Sequence, residues 1–305
     1  MGFHRREILL GAAAGAAALA IPARLFAQGS ELIRKPIPST GETLPVIGLG
    51  SARRYEDATS TADLGVLKET LQRFQALGGT VVDTAPVYGK AEPTIGTLLE
   101  QISGRDSLFI ATKVSTRGRE AGLKQIEQSF RNLKTSKIDL IAVHNLRDTD
   151  VQLETLRGLK QAGRIRYIGI TTSFDGQYSE FESVMKRESL DFIQIDYALD
   201  NRNAGARILP LARERGMAVM INLPFGRGSL FNATKDKALP EWAREIDCKT
   251  WAQFFLKWIV AHEAVTCAIP GMARPEYVND NIQAAKGRLP DSAMRRRMEN
   301  LIDGL

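Results

Sequence analysis

Four polar residues stand where a predicted parallel sheet would bring their side chains together. Asp83, Lys113 and His144 each close a short apolar run, and Tyr88 lies in the segment that follows Asp83. Because the carboxyl ends of parallel strands share one edge, we expect the four side chains to converge there. Each alone also has a structural explanation, as a helix cap, a snorkelling lysine, a satisfied core histidine or a packed ring. Their joint placement favours a shared chemical role.

This set of residues suits proton transfer to a carbonyl oxygen that gains negative charge. The pKa of an unperturbed tyrosine is near 10, so tyrosine is a poor acid unless its neighbours adjust it. We expect the Lys113 ammonium to lower the pKa of Tyr88 by stabilising the phenolate, and Asp83 to keep that ammonium placed and charged. His144 would hydrogen-bond the carbonyl oxygen and orient the substrate. Tyr88 would then be the acid in reduction and the base in oxidation.

The elements that must position these residues alternate along the chain. Short apolar runs predict eight strands, and amphipathic segments between them predict helices such as 64–77, 122–133, 153–161 and 204–215. A turn cluster at 39–43 predicts a hairpin within 32–46, and a helical segment ends the chain. The strand candidates are 46–50, 80–84, 108–114, 139–144, 167–171, 192–195, 218–223 and 266–269.

Eight such units predict an α/β fold, a (β/α)8 TIM barrel with an N-terminal β-hairpin and a C-terminal helical segment. An open doubly wound sheet is the alternative, although the glycine-rich turn it needs is incomplete at 48–53. The longest break in the alternation is 225–249, which we expect to be a functional loop or lid at the carboxyl face of the strands.

The first 28 residues predict an export signal rather than part of the fold. Arg5 and Arg6 precede a short run of small and apolar residues, 8–21, which is too short for a comfortable bilayer span. The paired arginines resemble a twin-arginine signal, the route that exports folded proteins, with cleavage after Ala27. We therefore expect a signal at 1–28, a barrel domain at 29–305, recognition by the twin-arginine machinery and a periplasmic location. An uncleaved, membrane-anchored form and an alanine-rich disordered terminus are the alternatives.

Composition narrows the remaining classes of partner. The net charge of +6 raises the question of nucleic acid, but the densest basic run beyond the terminus is 295–297, without interleaved aromatic residues. A solvated helix face explains that run, so no nucleic-acid partner is expected. Cys248 and Cys267 have neither CxxC nor zinc spacing, which predicts two free thiols and no metal site.

The segment 79–89, which reads GTVVDTAPVYG and is followed by Glu92 and the helix 95–99, closely resembles the signature of the aldo-keto reductase family. The segments 111–113 and 139–144 resemble the next two motifs of that family in the correct order and spacing. The likeness covers the chain from residue 40 onward. It implies a catalytic tetrad of Asp83, Tyr88, Lys113 and His144, and the reduction of an aldehyde or ketone with NADPH, or with NADH.

The resemblance also implies which residues hold the cofactor. Gly271, Met272, Arg274, Asp280 and Asn281 resemble the segment that grips the adenosine and its 2′-phosphate, and Arg274 favours NADPH because it can pair with that phosphate. The remaining expected contacts lie at the carboxyl ends of strands, near the nicotinamide and the pyrophosphate: Gly50, Ser51, Asp83, Thr171, Thr172, Gln194, Asn222, Leu223, Phe225, Gly226, Arg227 and Gly228.

Three positions depart from the family pattern. The family usually places an aromatic ring beneath the nicotinamide, often in a Tyr-Ser-Pro run, where this chain reads Asn-Leu-Pro-Phe at 222–225. The usual Ser-Asn pair after the fifth strand is Thr171-Thr172. The second basic contact to the 2′-phosphate corresponds to Tyr277, which predicts a modest preference for NADPH.

Two other functions remain open from the sequence. A barrel that binds nucleotide as a redox sensor or partner subunit would not need an intact tetrad. A lyase or hydrolase acting on a phosphorylated sugar would need paired carboxylates or a metal cluster, and neither pattern is found. Substrate specificity is expected to lie in Arg53, Tyr55, the 225–249 segment and the C-terminal segment.

Overall fold

A computed structural model describes residues 31–53, 55–58 and 60–305 of the chain. The predicted signal at 1–28 lies outside the described residues. The predicted start of the barrel domain, at residue 29, lies outside them too. The described part opens with the predicted hairpin, in which strands β1 (Arg34–Pro36) and β2 (Thr43–Pro45) pair antiparallel.

Eight parallel strands follow, and each pairs with the next along the chain. Their bounds agree with the predicted runs to within a few residues, and the first and last strands are shorter than predicted because only two residues of each keep the full ladder pattern. The strands are β3 (Leu49–Gly50), β4 (Val81–Asp83), β5 (Phe109–Val114), β6 (Ile138–His144), β7 (Ile165–Thr171), β8 (Phe192–Asp196), β9 (Ala218–Asn222) and β10 (Cys267–Ala268).

Hydrogen bonds between the first and last of these strands close the sheet into a barrel. Ile47 bridges Ala268 and Gly50 bridges Gly271, both in parallel orientation, and the Gly50 amide donates to the Pro270 carbonyl at 2.9 Å. Closure needs glycine at position 50, because a Cβ there would lie 2.7 Å from the Ile269 carbonyl oxygen. The TIM-barrel prediction is confirmed, and the open doubly wound alternative is wrong.

Helices connect the strands on the outside of the barrel and begin at identifiable caps. Ser60, Thr250 and Asp291 each accept a hydrogen bond from the backbone amide three residues on, which satisfies an otherwise unpaired amide of the first turn. The helices are α1 (Thr61–Ala76), α2 (Ala91–Gln101), α3 (Arg119–Asn132), α4 (Thr149–Gln161), α5 (Tyr178–Arg187), α6 (Ala204–Glu214), α7 (Ser229–Ala233), α8 (Trp251–Val260), α9 (Pro275–Asn281) and α10 (Ser292–Asp303).

The 225–249 segment follows β9 at the carboxyl face, as predicted, but it is not a plain loop. It contains α7 and two 3-10 helices, Gly226–Gly228 and Glu241–Ile246. Leu230, Ala243 and Ile246 are buried, so this segment packs on the barrel. Sequence periodicity could not show these elements because each is shorter than two turns of α-helix.

The barrel interior is a packed core that is sealed at its amino end by the hairpin. The rings of Phe109, Tyr167 and Phe192 contact one another there, with centroids 5.4 to 5.8 Å apart. Ile37 and Leu44 of the hairpin belong to the same buried cluster. Because this end is closed, the carboxyl end of the strands is where side chains can meet a ligand.

The basic run of α10 differs from the prediction of a merely solvated face. The Arg295 guanidinium lies 4.6 Å from the Trp258 ring centroid and donates to the Tyr197 hydroxyl at 3.0 Å. Arg297 lies 4.2 Å from the Trp242 ring centroid. These arginines therefore pack α10 against the barrel through cation–π contacts.

Two further observations concern the described residues only. Cys248 and Cys267 are both buried and free, as predicted. Within 31–53, 55–58 and 60–305, no helix combines the length and the apolar character needed to cross a membrane.

Candidate active site

The predicted tetrad converges at the carboxyl end of the barrel. Asp83 ends β4, Lys113 lies near the end of β5, His144 ends β6, and Tyr88 lies between β4 and α2. The Lys113 ammonium donates to both carboxylate oxygens of Asp83, each at 2.9 Å, and to the Thr84 carbonyl at 2.8 Å. All three ammonium protons thus have acceptors in a site where Lys113 is only 2% exposed.

Burial and ion pairing shift the pKa values of Lys113 and Asp83 in opposite directions. Burial alone lowers the pKa of Lys113, but the Asp83 and Tyr88 charges and their hydrogen bonds outweigh it, so the pKa is raised. For Asp83, burial raises the pKa, and the Lys113 charge with hydrogen bonds from Lys113 and Gln194 opposes that rise. The raised pKa of Lys113 keeps a positive charge in the barrel mouth at neutral pH.

Tyr88 lies against both the lysine and the histidine. Its ring centroid is 5.2 Å from the Lys113 Nζ atom and 6.1 Å from the His144 ring centroid, with the two rings nearly perpendicular. The Lys113 charge lowers the pKa of Tyr88, as expected, but burial and the Asp83 charge raise it more. The predicted net lowering is therefore wrong, because the same burial that places the phenol also disfavours the phenolate. Tyr88 is a neutral phenol that carries its proton at pH 7.

His144 is held neutral by its surroundings. Burial, followed by the positive charges of Lys113 and Arg147, lowers the pKa of His144 to about 3. Its Nδ1 atom is buried and has no hydrogen-bond partner in the part of the chain that the structure describes. A proton on Nδ1 would bury an unpaired N–H group, so we assign the proton to Nε2, which makes Nε2 the donor toward a substrate oxygen.

Because His144 is neutral, it should not contribute to the pH dependence of a reaction at the site near neutral pH. Since the pKa of His144 is about 3, we expect kcat/KM for carbonyl reduction to show no ionisation from this residue between about pH 5 and 8. Initial rates measured across that range in constant ionic strength buffers test this. An ionisation near pH 6.5 that disappears in His144→Gln would contradict the assignment.

A cleft of about 340 Å³ opens beside the tetrad, between the segments that follow β3 and β9. Its walls fit a dinucleotide, because two buried polar atoms there, the Ser51 hydroxyl oxygen and the Asn222 side-chain carbonyl oxygen, have no partner among the described residues. Both could pair with amide, hydroxyl or phosphate groups of a ligand. The predicted cofactor residues that line this cleft are Gly50, Ser51, Asp83, Asn222, Leu223, Phe225, Arg227, Gly228 and Gly271.

Side-chain amides hydrogen-bond Thr172, which belongs to the Thr171-Thr172 pair found where the family pattern has Ser-Asn. The Asn222 amide nitrogen donates to the Thr172 carbonyl at 3.2 Å, and the Thr172 hydroxyl bonds the Gln177 side chain. Gln194 donates to Asp83 at 3.1 Å, so it also positions the tetrad. Thr171 is buried, and its carbonyl accepts from the Asn145 amide at 2.7 Å. These bonds fix the wall of the cleft between β7 and β9.

The turn at 226–228 presents backbone to the cleft. All three residues have positive φ, which favours glycine at 226 and 228. The Gly226 and Gly228 amides donate to the Leu223 and Phe225 carbonyls at 3.0 and 2.9 Å, so the turn itself uses both amides. The Phe225 ring packs on Phe231, with centroids 4.8 Å apart, at the edge of the same cleft.

A second cleft of about 390 Å³ adjoins the first, and Arg53 lines both. Arg274 lines this second cleft at the start of α9, where a 2′-phosphate could reach it. The same cleft also holds four carboxylates, Asp57, Asp63, Glu69 and Glu276, which limits its positive potential. Tyr277 is 52% exposed on α9.

Three predicted cofactor contacts are buried or bonded within the protein. The Asp280 carboxylate accepts from the Thr250 hydroxyl at 2.9 Å and the Gln253 amide at 2.6 Å, which anchors the start of α8. Asn281 is buried. Met272 is also buried, and its carbonyl accepts from the Tyr55 hydroxyl at 3.2 Å. Roles for Asp280, Asn281 and Met272 in cofactor binding stay predictions.

Two residues near His144 were not predicted from the sequence, and one residue predicted to contact substrate lies in the core. Arg147 and Gln177 line the groove beside His144, and only the position of Arg147, three residues after His144, could have signalled this. Tyr55, expected to contact substrate, is 1% exposed and packs in the core.

Among the described residues, no group of three or more histidine, cysteine or acidic side chains could hold a metal ion.

Comparisons with known proteins agree with this geometry. Residues 46–301 match the profile described as the Aldo/keto reductase family. Methylglyoxal reductase YeaE of Escherichia coli is 27% identical over 260 residues, 81% of this chain and 88% of its own length. The uncharacterized oxidoreductase YcsN of Bacillus subtilis is 28% identical over 243 residues, 70% of this chain and 80% of its own.

A solved structure shows the same architecture. An aldo/keto reductase from Klebsiella pneumoniae, in complex with NADP and acetate, superposes with a TM-score of 0.73. It is 25% identical in sequence, and the superposition covers 86% of this chain and 93% of that one.

Proposed function

This chain belongs to the aldo/keto reductase family, and from that premise we propose that it reduces an aldehyde or ketone to the alcohol with NADPH. The observation that supports this most is the buried ion pair of Lys113 and Asp83 lying against Tyr88. An ion pair of 2% and 7% side-chain exposure carries a large desolvation cost, which a structural role alone explains poorly.

The tetrad residues divide the work of the reaction. NADPH, when bound, supplies the hydride that the carbonyl carbon accepts. The neutral Tyr88 phenol gives its proton to the carbonyl oxygen, on which negative charge develops. The Lys113 ammonium stabilises the phenolate that remains, and Asp83 keeps the ammonium charged and in place. The neutral His144 donates a hydrogen bond to the same oxygen and orients the substrate.

The two adjoining clefts suit the two ends of the cofactor. Ser51, Asn222 and the 226–228 turn would hold the nicotinamide and pyrophosphate, while Arg53 and Arg274 would lie near the adenosine. Arg274 carries the preference for NADPH over NADH because a guanidinium pairs with the 2′-phosphate that NADH lacks. The four carboxylates of the second cleft keep that preference modest.

Replacing Arg274 with alanine tests the cofactor assignment. We expect the Kd for NADPH to rise about tenfold, since a charge-assisted bond contributes about 1.5 kcal/mol, while the Kd for NADH changes less than twofold. Titration of protein fluorescence with each nucleotide measures both constants. The matched control is Arg296→Ala, which removes an exposed arginine of α10. Equal losses for the two nucleotides would contradict the 2′-phosphate contact, and no binding by the unaltered protein would contradict the reductase itself.

A nucleotide-binding redox sensor or partner subunit is the alternative function. It would bind NADPH without turnover, so the binding titration must be paired with an assay of NADPH oxidation in the presence of aldehydes. The complete set of Asp83, Tyr88, Lys113 and His144 favours the enzyme.

The location of the protein is a separate proposal. The Arg5-Arg6 pair before an apolar run supports export to the periplasm through the twin-arginine machinery, with the uncleaved, anchored form as the second outcome. Fractionation of cells expressing the full chain and its Arg5→Lys, Arg6→Lys variant tests it. Equal amounts of both proteins in the periplasmic fraction, or both confined to the cytoplasm, would contradict the proposal.

A further inference from the structure

A groove of about 850 Å³ is lined by His144 and shares no lining residue with the 340 Å³ cleft. The segments after β5 and β6 and the start of α5 line it, and Val87, the neighbour of Tyr88, forms part of its edge. A substrate whose carbonyl lies between Tyr88 and His144 can extend into this groove. The groove is the place where substrate selectivity can arise.

The backbone after His144 is held in a conformation that costs free energy. Asn145, Leu146 and Asp148 have φ of 52°, 54° and 55°, in the left-handed region, which asparagine and aspartate tolerate but a leucine such as Leu146 rarely adopts. Specific bonds retain it: the Asn145 carbonyl accepts from Gln177 at 3.1 Å, and the Asp148 carboxylate accepts from the Gly118 amide at 2.7 Å. Such conformations cluster at ligand sites. Here the result is that Arg147 is placed at the groove.

Arg147 is exposed in the groove, and the only hydrogen bond of its side chain among the described residues is a 3.4 Å contact to the Ser115 carbonyl. Arg117 lines the same groove. No carboxylate lies within ion-pair distance of either guanidinium in the described part of the chain, whereas the third arginine, Arg187, pairs with Asp150. Two cationic groups beside the catalytic histidine are thus available to a ligand.

The charge of the groove indicates which anion fits. Three arginines and three carboxylates line it, so its net formal charge is near zero. A monoanion that accepts two parallel hydrogen bonds from one guanidinium matches this setting better than a dianionic phosphate. A carboxylate meets both requirements.

We propose that Arg147, with Arg117 beside it, binds a carboxylate of the substrate while the carbonyl oxygen faces Tyr88 and His144. The preferred substrates are then aldehydes or ketones that carry a carboxylate several bonds from the carbonyl. This inference rests on the proposed reductase function and names the substrate class for it.

The test compares two aldehydes that differ in charge, 4-carboxybenzaldehyde and its methyl ester. The unaltered protein should show the lower KM for the carboxylate. Arg147→Gln should raise that KM about tenfold or more, with kcat and the constants for the ester little changed. Arg187→Gln, in the same groove but paired with Asp150, should leave the ratio unchanged. An unchanged ratio in Arg147→Gln, or an equal loss for both aldehydes, overturns the proposal.

A binding measurement separates this inference from the reductase function. Calorimetric titration of 4-(hydroxymethyl)benzoate into the protein with NADP+ requires no turnover. Binding that Arg147→Gln weakens about tenfold, without reduction of either aldehyde, would keep the carboxylate site and reject the reductase. Reduction of the ester without carboxylate binding would keep the reductase and reject the site.

Discussion

Tyr88→Phe is expected to lower kcat/KM for carbonyl reduction by at least about a thousandfold, because it removes the proton donor and changes little else. The Tyr88 ring centroid lies 5.2 Å from the Lys113 Nζ atom, and a phenylalanine ring of the same shape keeps that packing. Initial rates of NADPH oxidation with a neutral aldehyde measure the loss.

Two comparisons separate a catalytic from a structural effect. The Kd for NADPH and the urea midpoint of Tyr88→Phe should match those of the unaltered protein. Tyr277→Phe, which alters a hydroxyl on the exposed surface of α9, should keep full activity. A loss of less than about tenfold in Tyr88→Phe would mean that another group protonates the carbonyl oxygen.

Lys113→Met is expected to remove activity and also to lower the free energy of unfolding by about 3 to 5 kcal/mol. The substitution leaves the Asp83 carboxylate, 7% exposed, with Gln194 as its remaining side-chain donor. An uncompensated buried charge is costly, and the pKa of Asp83, already raised by burial, would rise further once the ammonium is gone. Urea unfolding at pH 7 measures the stability change.

The double variant Asp83→Asn, Lys113→Met separates the loss of stability from the loss of activity. With no buried charge left, stability should recover by more than half of the loss, while activity should stay absent because no cation faces Tyr88. Arg119→Met, which breaks the exposed pair with Glu154, should cost less than about 1 kcal/mol. A Lys113→Met protein as stable as the Arg119→Met control would show that Asp83 is not held as a buried carboxylate.

The barrel could be predicted from the sequence because it follows from a regular period, and the tetrad could be predicted because the segments that carry it also resemble the family motifs. Apolar runs of strand length alternate with helical segments, and a barrel turns that alternation into one rim of strand ends, where Asp83, Lys113 and His144 meet. The barrel strands are buried, which makes the runs easy to recognise.

Features that depend on three-dimensional contacts were not predictable. The bond from Asn222 to Thr172 joins residues 50 positions apart, and the packing of Arg295 on Trp258 joins residues 37 apart. Arg147 reaches the groove through left-handed backbone at residues that carry no glycine signal. The net pKa of Tyr88 depends on how deeply its ring is buried, which residue type and spacing do not give.

Transfer of deuterium from NADPH to the carbonyl carbon tests the central claim most directly. The purified protein would be incubated with 4-nitrobenzaldehyde and NADPH that carries deuterium at both C4 positions, and the alcohol analysed by mass spectrometry. The account predicts that essentially every molecule of 4-nitrobenzyl alcohol carries one deuterium and that Tyr88→Phe forms almost none. NADPH binding with no labelled alcohol from any aldehyde, including 4-carboxybenzaldehyde, would contradict the account.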